Sequence, residues 1–351
     1  MIKPKFSPLP ETGRLSREDA TRYFSIFGFA SFALGAINFI AQFLLVNLIY
    51  YTLPSLYAWP FFGSVLIIVT LYGCAFPVFY LILRRLPKIR PVREKQSFRF
   101  LITSLCICFC FTAIGNYLSG YMVAFFESLS GSQLINPVTE SMESTPLWGT
   151  LLFTVVLAPI MEELVFRKIL CDRLLPLGES YAIVLSAALF ALAHGNFYQI
   201  FYAFLIGACL GYVYVKSGKI GYSIAFHLII NLVFGFLPTL LSGMMDMNAL
   251  NELMEQMAAG GNEQALMEQM MALLEVNPLP LFLLAQLSLL QYGGIIAGTI
   301  LLIVCLVKKR ISLEEGLLPP PSDARVSPIF LNSGVALAIA FYVFLMIYSL
   351  L

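Results

Sequence analysis

The sequence predicts an all-α fold, a polytopic membrane helix bundle of about nine spans with a cytoplasmic N-terminus. Of the 351 residues, 59% are hydrophobic and only 12% are charged, whereas about a quarter of the residues in a soluble globular protein are charged. Residues 23–83 contain no charged side chain. This composition excludes a soluble globular domain, and it also excludes a disordered or nucleic-acid-binding chain.

The apolar segments are long enough to cross a bilayer as helices. A membrane helix needs about 20 residues, whereas a strand of a membrane barrel needs about 10. Because the hydrocarbon core holds no water, each segment must pair its own backbone polar groups, which a helix does. The predicted spans are roughly 23–52, 58–83, 100–126, 147–170, 181–194, 196–215, 220–240, 279–307 and 328–351.

The basic residues set the predicted orientation, because Lys and Arg are enriched in cytoplasmic loops. With the N-terminus in the cytoplasm, all 21 Lys and Arg residues fall on the cytoplasmic side, including those from Arg167 to Arg173. The outer loops 127–146 and 241–278 then contain nine acidic residues and no basic residue. A missed or additional span would mix these two groups, so the separation favours nine spans.

The spans and loops divide the chain into parts of different character. These parts are a cytoplasmic N-terminal tail (1–22), N-terminal membrane helices (23–146), a core with ionisable residues (147–240), an acidic, Met-rich outer loop (241–278) and C-terminal membrane helices (279–351). In the outer loop, Leu253-Met-Glu-Gln-Met257 recurs as Leu266-Met-Glu-Gln-Met270. The helical spacing of its Leu and Met residues predicts a short amphipathic hairpin on the outer membrane face.

Two patterns of small residues lie in the later spans. Gly207-x-x-x-Gly211 and Gly294-x-x-x-Gly298 allow two helices to approach closely. We expect them to serve packing within the chain rather than dimerisation.

Ionisable side chains within a span are costly, and each is a functional hypothesis by default. The predicted spans place Glu162 and Glu163 in an apolar helix, and they also contain both His residues of the chain, His194 and His227. Asn231 follows His227 by one helical turn and lies on the same face. These residues are therefore the candidates for a functional site.

The two adjacent glutamates have different predicted roles. Glu163 precedes Arg167 by four residues, which favours a structural salt bridge. Glu162 points about 100° away around the helix and has no basic residue three or four positions away. We expect Glu162 to act as a general base for water, and the alternative is a protonated Glu that is hydrogen-bonded within the bundle.

The His residues have two interpretations. A His on an apolar helix is often a satisfied core residue, but here both His residues of the chain share this location and Asn231 adds an amide that can stabilise an oxyanion. We expect Glu162 and His227 at a common depth, about 10 Å from the cytoplasmic face at 1.5 Å per residue. His194 would lie about 20 Å deep unless the short segment 181–194 is tilted or partly re-entrant.

Three motifs resemble those of a known family. The pattern Glu162-Glu163-x-x-x-Arg167, then Phe190-x-x-x-His194, then His227-x-x-x-Asn231 is similar to the motifs of the CAAX prenyl endopeptidase and bacteriocin-processing (CPBP, or Abi) family of intramembrane proteases, as in type II CAAX proteases. The order, the spacing and the apolar surroundings all fit. The resemblance covers roughly residues 147–236.

The resemblance implies an all-helical membrane peptidase with a cavity that opens to the cytoplasmic side. By this resemblance, Glu162 and His194 activate a water molecule, and His227 and Asn231 form the oxyanion site. It further implies that supporting residues shape the pocket, namely Glu163, Arg167 and Phe190, the last of which packs beneath His194.

The sequence leaves a metal cofactor open. The family has been described both as metallopeptidases and as metal-independent glutamate peptidases. A catalytic Zn²⁺ usually has three protein ligands, which Glu162, His194 and His227 would supply. However, the chain has no HExxH signature, and this ligand set would leave only Asn231 for the oxyanion.

The resemblance implies a peptide or protein substrate in or at the membrane, either prenylated or of the leader type, and a location in the bacterial plasma membrane. Two other functions remain as alternatives. The first is a non-catalytic membrane scaffold or bacteriocin-immunity protein of the same fold. The second is a proton-coupled transporter that relays protons through Glu162 and the His pair, but residues 1–146 show no corresponding acid or His of an inverted repeat.

Overall fold

The computed structural model describes residues 13–245, 247–260, 262–276, 278–323 and 326–350. Residues 1–12 of the predicted N-terminal tail, the predicted outer Asp246 and the predicted cytoplasmic Arg325 lie outside the described residues. Within the described ranges the regular elements are helices, and the one β-type contact is an isolated bridge between Gly178 and Glu315. The predicted all-α fold is confirmed.

The helices follow the predicted apolar segments closely. The longer helices, in chain order, are α1 (Arg17–Thr52), α2 (Phe62–Leu83), α3 (Phe98–Ser130), α4 (Leu147–Leu177), α5 (Glu179–Ala193), α6 (Ile200–Ser217), α7 (Ile220–Ser242), α8 (Met247–Ala258), α9 (Glu263–Val276), α10 (Pro278–Val307) and α11 (Ser333–Tyr348). Shorter helical segments are Pro54–Tyr57, Pro137–Ser144 and Ser327–Phe330.

Seven helices of the described residues are long and apolar enough to cross a membrane, namely α1, α2, α3, α4, α6, α7 and α10. The apolar helices α5 and α11 are shorter. At 1.5 Å per residue, α5 is about 22 Å long, less than the roughly 30 Å of a hydrocarbon core. The nine predicted segments therefore correspond to seven full-length helices and two short ones.

Proline residues locally widen three of the long helices. The wider, π-helical turns are Ile68–Ala75 in α2, Leu151–Leu157 in α4 and Asn231–Phe236 in α7. Each is followed at once by an α-helical turn with a proline at its second position, namely Pro77, Pro159 and Pro238. Proline lacks an N–H and its ring crowds the preceding turn, so the wider turn accommodates it.

These wide turns surround the predicted site. Glu162 and Glu163 lie in the α-helical turn that begins at Ala158, and a further wide turn, Leu164–Cys171, follows them. Asn231 is the first residue of the wide turn in α7. Such turns occur often at functional sites, and here they set the direction in which these side chains leave their helices.

Helix contacts divide the bundle into two groups that meet at the predicted core. On one side, α1 packs against α2 and α11, and on the other side α3 packs against α6 and α10. The antiparallel pair α5 and α6 lies between them, and α4 contacts both α5 and α7. The predicted site residues on α4, α5 and α7 are therefore in the interior of the bundle.

Glycine residues allow the closest of these helix contacts. A Cβ on Gly298 of α10 would lie 1.9 Å from the carbonyl oxygen of Cys106 in α3, and a Cβ on Gly207 of α6 would lie 3.2 Å from the Cα of Ala187 in α5. Both small-residue patterns of the sequence thus face a neighbouring helix of the same chain. Their predicted role in internal packing is confirmed.

The charged residues from Arg167 to Arg173 lie within α4, which extends beyond the predicted end of this span at residue 170. Their predicted placement on the cytoplasmic side stays a prediction. Arg167, Asp172 and Arg173 are buried. They are tolerated inside the helix because each has a polar partner. The Tyr214 hydroxyl donates to Asp172 at 2.6 Å, and Arg173 donates through Nε to the Leu83 carbonyl at 2.9 Å.

An extended segment between α10 and α11 crosses the turn that joins α4 to α5. The backbone N–H of Glu179 donates to the Glu314 carbonyl at 3.0 Å, and the N–H of Leu318 donates to the Pro176 carbonyl at 2.7 Å. These hydrogen bonds hold residues 311–319, the segment that leads to α11, against the core.

The helices α8 and α9 pack against each other in the predicted outer loop. Leu253 and Leu266 occupy equivalent positions in the repeated sequence, and both are buried, whereas Glu255 and Glu268 are exposed. The two helices therefore pair with Leu residues inside and Glu residues outside at these positions. The predicted amphipathic loop on the outer membrane face stays a prediction.

We expect the Gly298→Ala variant to be destabilised, by about 1–3 kcal/mol as is typical of overpacking, because the new methyl group meets the Cys106 carbonyl. The measurement is the midpoint of thermal unfolding of the purified protein in detergent. Gly293→Ala is the matched control, since Gly293 lies in the same helix and a Cβ there would have no other atom within 4 Å. An unchanged midpoint for Gly298→Ala would contradict the close contact between α3 and α10.

Candidate active site

The predicted ion pair between Glu163 and Arg167 is present and completely buried. The Nε of Arg167 lies 3.0 Å from Oε2 of Glu163, and both side chains are 0% exposed. The guanidinium also donates to the Ser186 hydroxyl at 3.2 Å and lies over the Phe190 ring, 5.5 Å from its centroid. Arg167 thus ties α4 to α5 through contacts that need a charged, planar group.

His227 lies between the two adjacent glutamates. Its Nδ1 is 3.3 Å from Oε1 of Glu163, and its Nε2 is 3.6 Å from Oε2 of Glu162. Glu162 and Glu163 project in different directions from α4, so a single ring from α7 reaches both carboxylates. The sequence predicted a common depth for Glu162 and His227, and the structure brings them into contact.

Phe190 connects the two His residues. Its ring meets His194 edge to face at a centroid distance of 4.9 Å, and it meets His227 in the same way at 5.7 Å. Phe190 itself is almost completely buried. It therefore fixes the separation of the two imidazoles, in agreement with its implied position beneath His194.

His194 follows the last residue of α5 and begins a tight turn. Its Nδ1 lies 2.8 Å from the Phe190 carbonyl oxygen. Because a carbonyl oxygen only accepts, Nδ1 carries the proton in this contact, and Nε2 keeps its lone pair. Gly195 then adopts a left-handed conformation with φ of 64°, and Asn196 closes the turn by donating to the His194 carbonyl.

Asn231 lies one turn beyond His227, as predicted, but its amide is partly committed. Its Nδ2 donates to the Thr154 carbonyl at 2.9 Å. Thr154 belongs to the wide turn of α4, whose carbonyl oxygens are displaced from regular helical pairing. An Asn side chain carries two N–H donors, so one of them remains for another acceptor.

A cavity of about 580 Å³ lies next to these residues, and both Glu162 and His194 line it. The Glu162 side chain is 21% exposed, whereas that of Glu163 is 0% exposed. His227 is buried and does not line the cavity, although its ring lies against Glu162, which does. The structure therefore gives Glu162 access to the cavity and uses Glu163 for support.

Several polar residues that line the cavity were not predicted from the sequence. They are Asn38 and Gln42 of α1, Tyr72 of α2 and Gln199 after the turn of His194. These side chains are uncharged, so the pattern of ionisable groups in the spans does not point to them. One sequence feature could have indicated them: Asn38 and Gln42 are two amides four residues apart in the charge-free run 23–83.

The described residues contain no group of three His, Cys, Asp or Glu side chains arranged to hold a metal ion. The Nδ1 of His194 faces a carbonyl, and the Nε2 of His227 lies 3.6 Å from Oε2 of Glu162. The three-ligand zinc site that the sequence allowed stays a prediction.

Residues 144–233 match the family model of the type II CAAX prenyl endopeptidase Rce1-like proteins. This segment is similar to Rce1-like endopeptidases. All three motifs of the sequence fall within the matched residues, so the predicted resemblance is confirmed. Together with the apolar helices, the Rce1-like match indicates an integral membrane protein related to peptidases.

The chain is also similar to a curated bacterial protein. It is 32% identical over 133 residues to the UPF0177 protein YbdJ of Lactococcus lactis subsp. lactis (strain IL1403). The aligned region covers 38% of this chain and 57% of that protein, so the chain spans little more than half of the relative's length. No solved structure matches the chain.

We expect Arg167→Met to lower the free energy of unfolding by about 3–5 kcal/mol, because it leaves a buried carboxylate without its main partner. Thermal unfolding of the purified protein in detergent measures the change. The double variant Glu163→Met/Arg167→Met removes both charges and should recover much of the lost stability. A single variant as stable as the parent protein would show that the ion pair does not support the site.

Proposed function

We propose that this protein is a CAAX-type intramembrane endopeptidase in which Glu162 activates the attacking water. The observation that supports this most strongly is the accessible Glu162 carboxylate, which lines a cavity together with His194. The neighbouring Glu163 is sealed in an ion pair. A carboxylate that reaches a substrate-sized space beside imidazoles is suited to general-base catalysis.

In the proposed reaction, the Glu162 carboxylate takes a proton from water as the water oxygen attacks the carbonyl carbon of the peptide. The proton then passes to the leaving nitrogen, the C–N bond breaks, and the products are a carboxylic acid and an amine. His194 orients the water through its Nε2, because its Nδ1–H is held by the Phe190 carbonyl. This second contact fixes the ring as well as its tautomer.

His227 and Asn231 are the proposed donors to the oxyanion. His227 acts in this step with both ring nitrogens protonated, because its Nδ1 already donates to Glu163 and a neutral ring would have no proton on Nε2. When Glu162 takes the proton from water, it becomes a weaker acceptor for this Nε2–H, which lies 3.6 Å away, and the N–H is then available to the developing negative charge. Asn231 has one N–H in addition to the one used by Thr154. Donors that are held in place before the charge develops lower the barrier most effectively.

The proposed substrates are peptides or proteins in or at the membrane, of the prenylated or leader type. Most of the cavity wall is apolar, with Leu34, Phe39, Leu71 and Leu345 among its residues, which favours a hydrophobic segment of substrate. The proposed location is the bacterial plasma membrane.

We expect Glu162→Gln to abolish a specific set of cleavages, because an amide cannot accept the proton from water. Peptide mass spectrometry of membranes from cells with the parent protein and with the variant detects them. Glu140→Gln is the control, since it makes the same change at an exposed acid outside the cavity. If Glu162→Gln changes no peptide while a cellular phenotype of the protein persists, the chain acts as a scaffold or immunity protein rather than as a peptidase.

We further expect the Glu162-dependent cleavage to continue after chelation. The physical reason is that the proposed mechanism uses the Nε2–H of His227 as a donor to the oxyanion, and a ring nitrogen that carries a proton cannot bind a metal. The measurement is the cleavage rate of purified protein before and after treatment with a zinc chelator, with metal analysis by mass spectrometry. Loss of activity that returns on addition of Zn²⁺ would contradict this expectation.

A further inference from the structure

In α4, the proline after the wide turn leaves one backbone carbonyl without its helical partner. At the end of this turn, the N–H of Ala158 pairs with the carbonyl five residues earlier, that of Phe153. The next position is Pro159, which has no N–H to donate to the Thr154 carbonyl. A carbonyl without a donor is costly inside an apolar bundle, so this group needs a partner from outside its own helix.

The same arrangement occurs in α7. The N–H of Leu237 pairs with the Leu232 carbonyl, again five residues earlier. Pro238 follows, so the Val233 carbonyl loses the N–H that this spacing would supply. The freed carbonyl of α7 lies two residues after Asn231, in the wide turn that begins with Asn231.

A carboxamide from another helix pairs with each of these two carbonyls. The Nδ2 of Asn231 donates to Thr154 at 2.9 Å, and the Nε2 of Gln291 in α10 donates to Val233 at 2.8 Å. The wide turn of α7 is therefore held from two sides, toward α4 by its own Asn231 and toward α10 by Gln291. Gln291 lies outside the three sequence motifs and outside the segment that matches the Rce1-like model.

Packing around Gln291 restricts its distance from α7. A Cβ on Gly294, one turn further along α10, would lie 2.3 Å from the Phe109 ring of α3. The same ring meets Phe234, in the wide turn of α7, edge to face at a centroid distance of 4.9 Å. Phe109 thus contacts both α10 and the wide turn, which limits how far Gln291 can move from Val233.

We propose that Gln291 is a positioning residue for the oxyanion site, because its hydrogen bond to the Val233 carbonyl holds the turn from which the Asn231 amide projects. Without Gln291, this carbonyl would turn toward another donor, and the backbone that carries Asn231 would move with it. Displacements of about 1 Å in an active site have large effects on rate. This proposal rests on the proposed peptidase function, in which Asn231 donates to the oxyanion, and it adds a residue of α10 to the support of that site.

The first test concerns the pairing itself and does not depend on catalysis. Gln291→Met keeps the length of the side chain and removes its N–H donors. We expect it to lower the midpoint of thermal unfolding of the purified protein in detergent by about 2–4 °C, because it leaves a carbonyl unpaired. Pro238→Ala restores a backbone N–H, so Gln291→Met should lower the midpoint much less in the Pro238→Ala background.

Gln286→Met is the matched control for the unfolding test, since Gln286 is an exposed glutamine of the same helix. The proposal is overturned if Gln291→Met leaves the midpoint unchanged or lowers it equally in both backgrounds. It is also overturned if Gln286→Met lowers the midpoint as much as Gln291→Met does.

The second test is a double-mutant cycle on a cleavage that depends on Glu162, measured with purified protein and a synthetic peptide that spans the cleaved bond. We expect Gln291→Met to lower kcat about tenfold with little change in KM, less than the roughly 100-fold or greater loss on removal of an oxyanion donor. In the Asn231→Ala background, Gln291→Met should lower kcat no further, because the donor that it positions is absent. A loss by the same factor in both backgrounds would show a purely structural role and overturn the proposal.

The two tests distinguish a failure of this proposal from a failure of the proposed function. If no cleavage depends on Glu162, the proposed function is wrong and the catalytic role of Gln291 is wrong with it, whatever the unfolding midpoints show about Val233. If cleavages depend on Glu162 but Gln291 and Asn231 show no coupling, the proposed function stands and the positioning role alone is wrong.

Discussion

Two adjacent carboxylates within an apolar helix bundle must both be compensated, and this constraint organises the core of the protein. An unpaired charge in such surroundings is very costly. Arg167 compensates Glu163 within the same helix, and His227 reaches both carboxylates from α7. Because one imidazole must face two side chains that diverge from α4, the positions of α4 and α7 are tied to each other within narrow limits. Phe190 then places α5 against both of them.

The backbone responds to the same constraint. The prolines that follow the wide turns in α2, α4 and α7 interrupt regular pairing next to the site. At one of these places, the Thr154 carbonyl accepts a hydrogen bond from the Asn231 side chain. The wide turn of α4 and the amide of α7 thus satisfy each other, and the irregular backbone remains inside the protein, where such irregularity is tolerated in membranes.

The parts of the structure that depend on local sequence were predictable. The apolar runs identify the helices, and the spacing of Glu163 and Arg167 identifies their ion pair. The extension of α4 beyond residue 170 was not predictable in this way, because Arg and Lys normally mark the cytoplasmic end of a span. Here Asp172 is stabilised by Tyr214, a residue distant in sequence, and such long-range partners leave no periodic signal. The wall with Asn38 and Gln42 was missed for a related reason, since uncharged amides in an apolar run carry no distinct signature.

The helices α1 and α11, which line the cavity with residues such as Leu34 and Leu345, are in direct contact with each other. A Cβ on Gly28 of α1 would lie 2.1 Å from the backbone nitrogen of Val335 in α11, so these two helices are joined backbone to backbone. Both lie outside the segment that matches the Rce1-like model. Substitutions on their cavity-facing sides can therefore accumulate without disturbing Glu162 or its neighbours. If the proposed function holds, the preference for a substrate can diverge among related chains in evolution while the proposed chemistry stays the same.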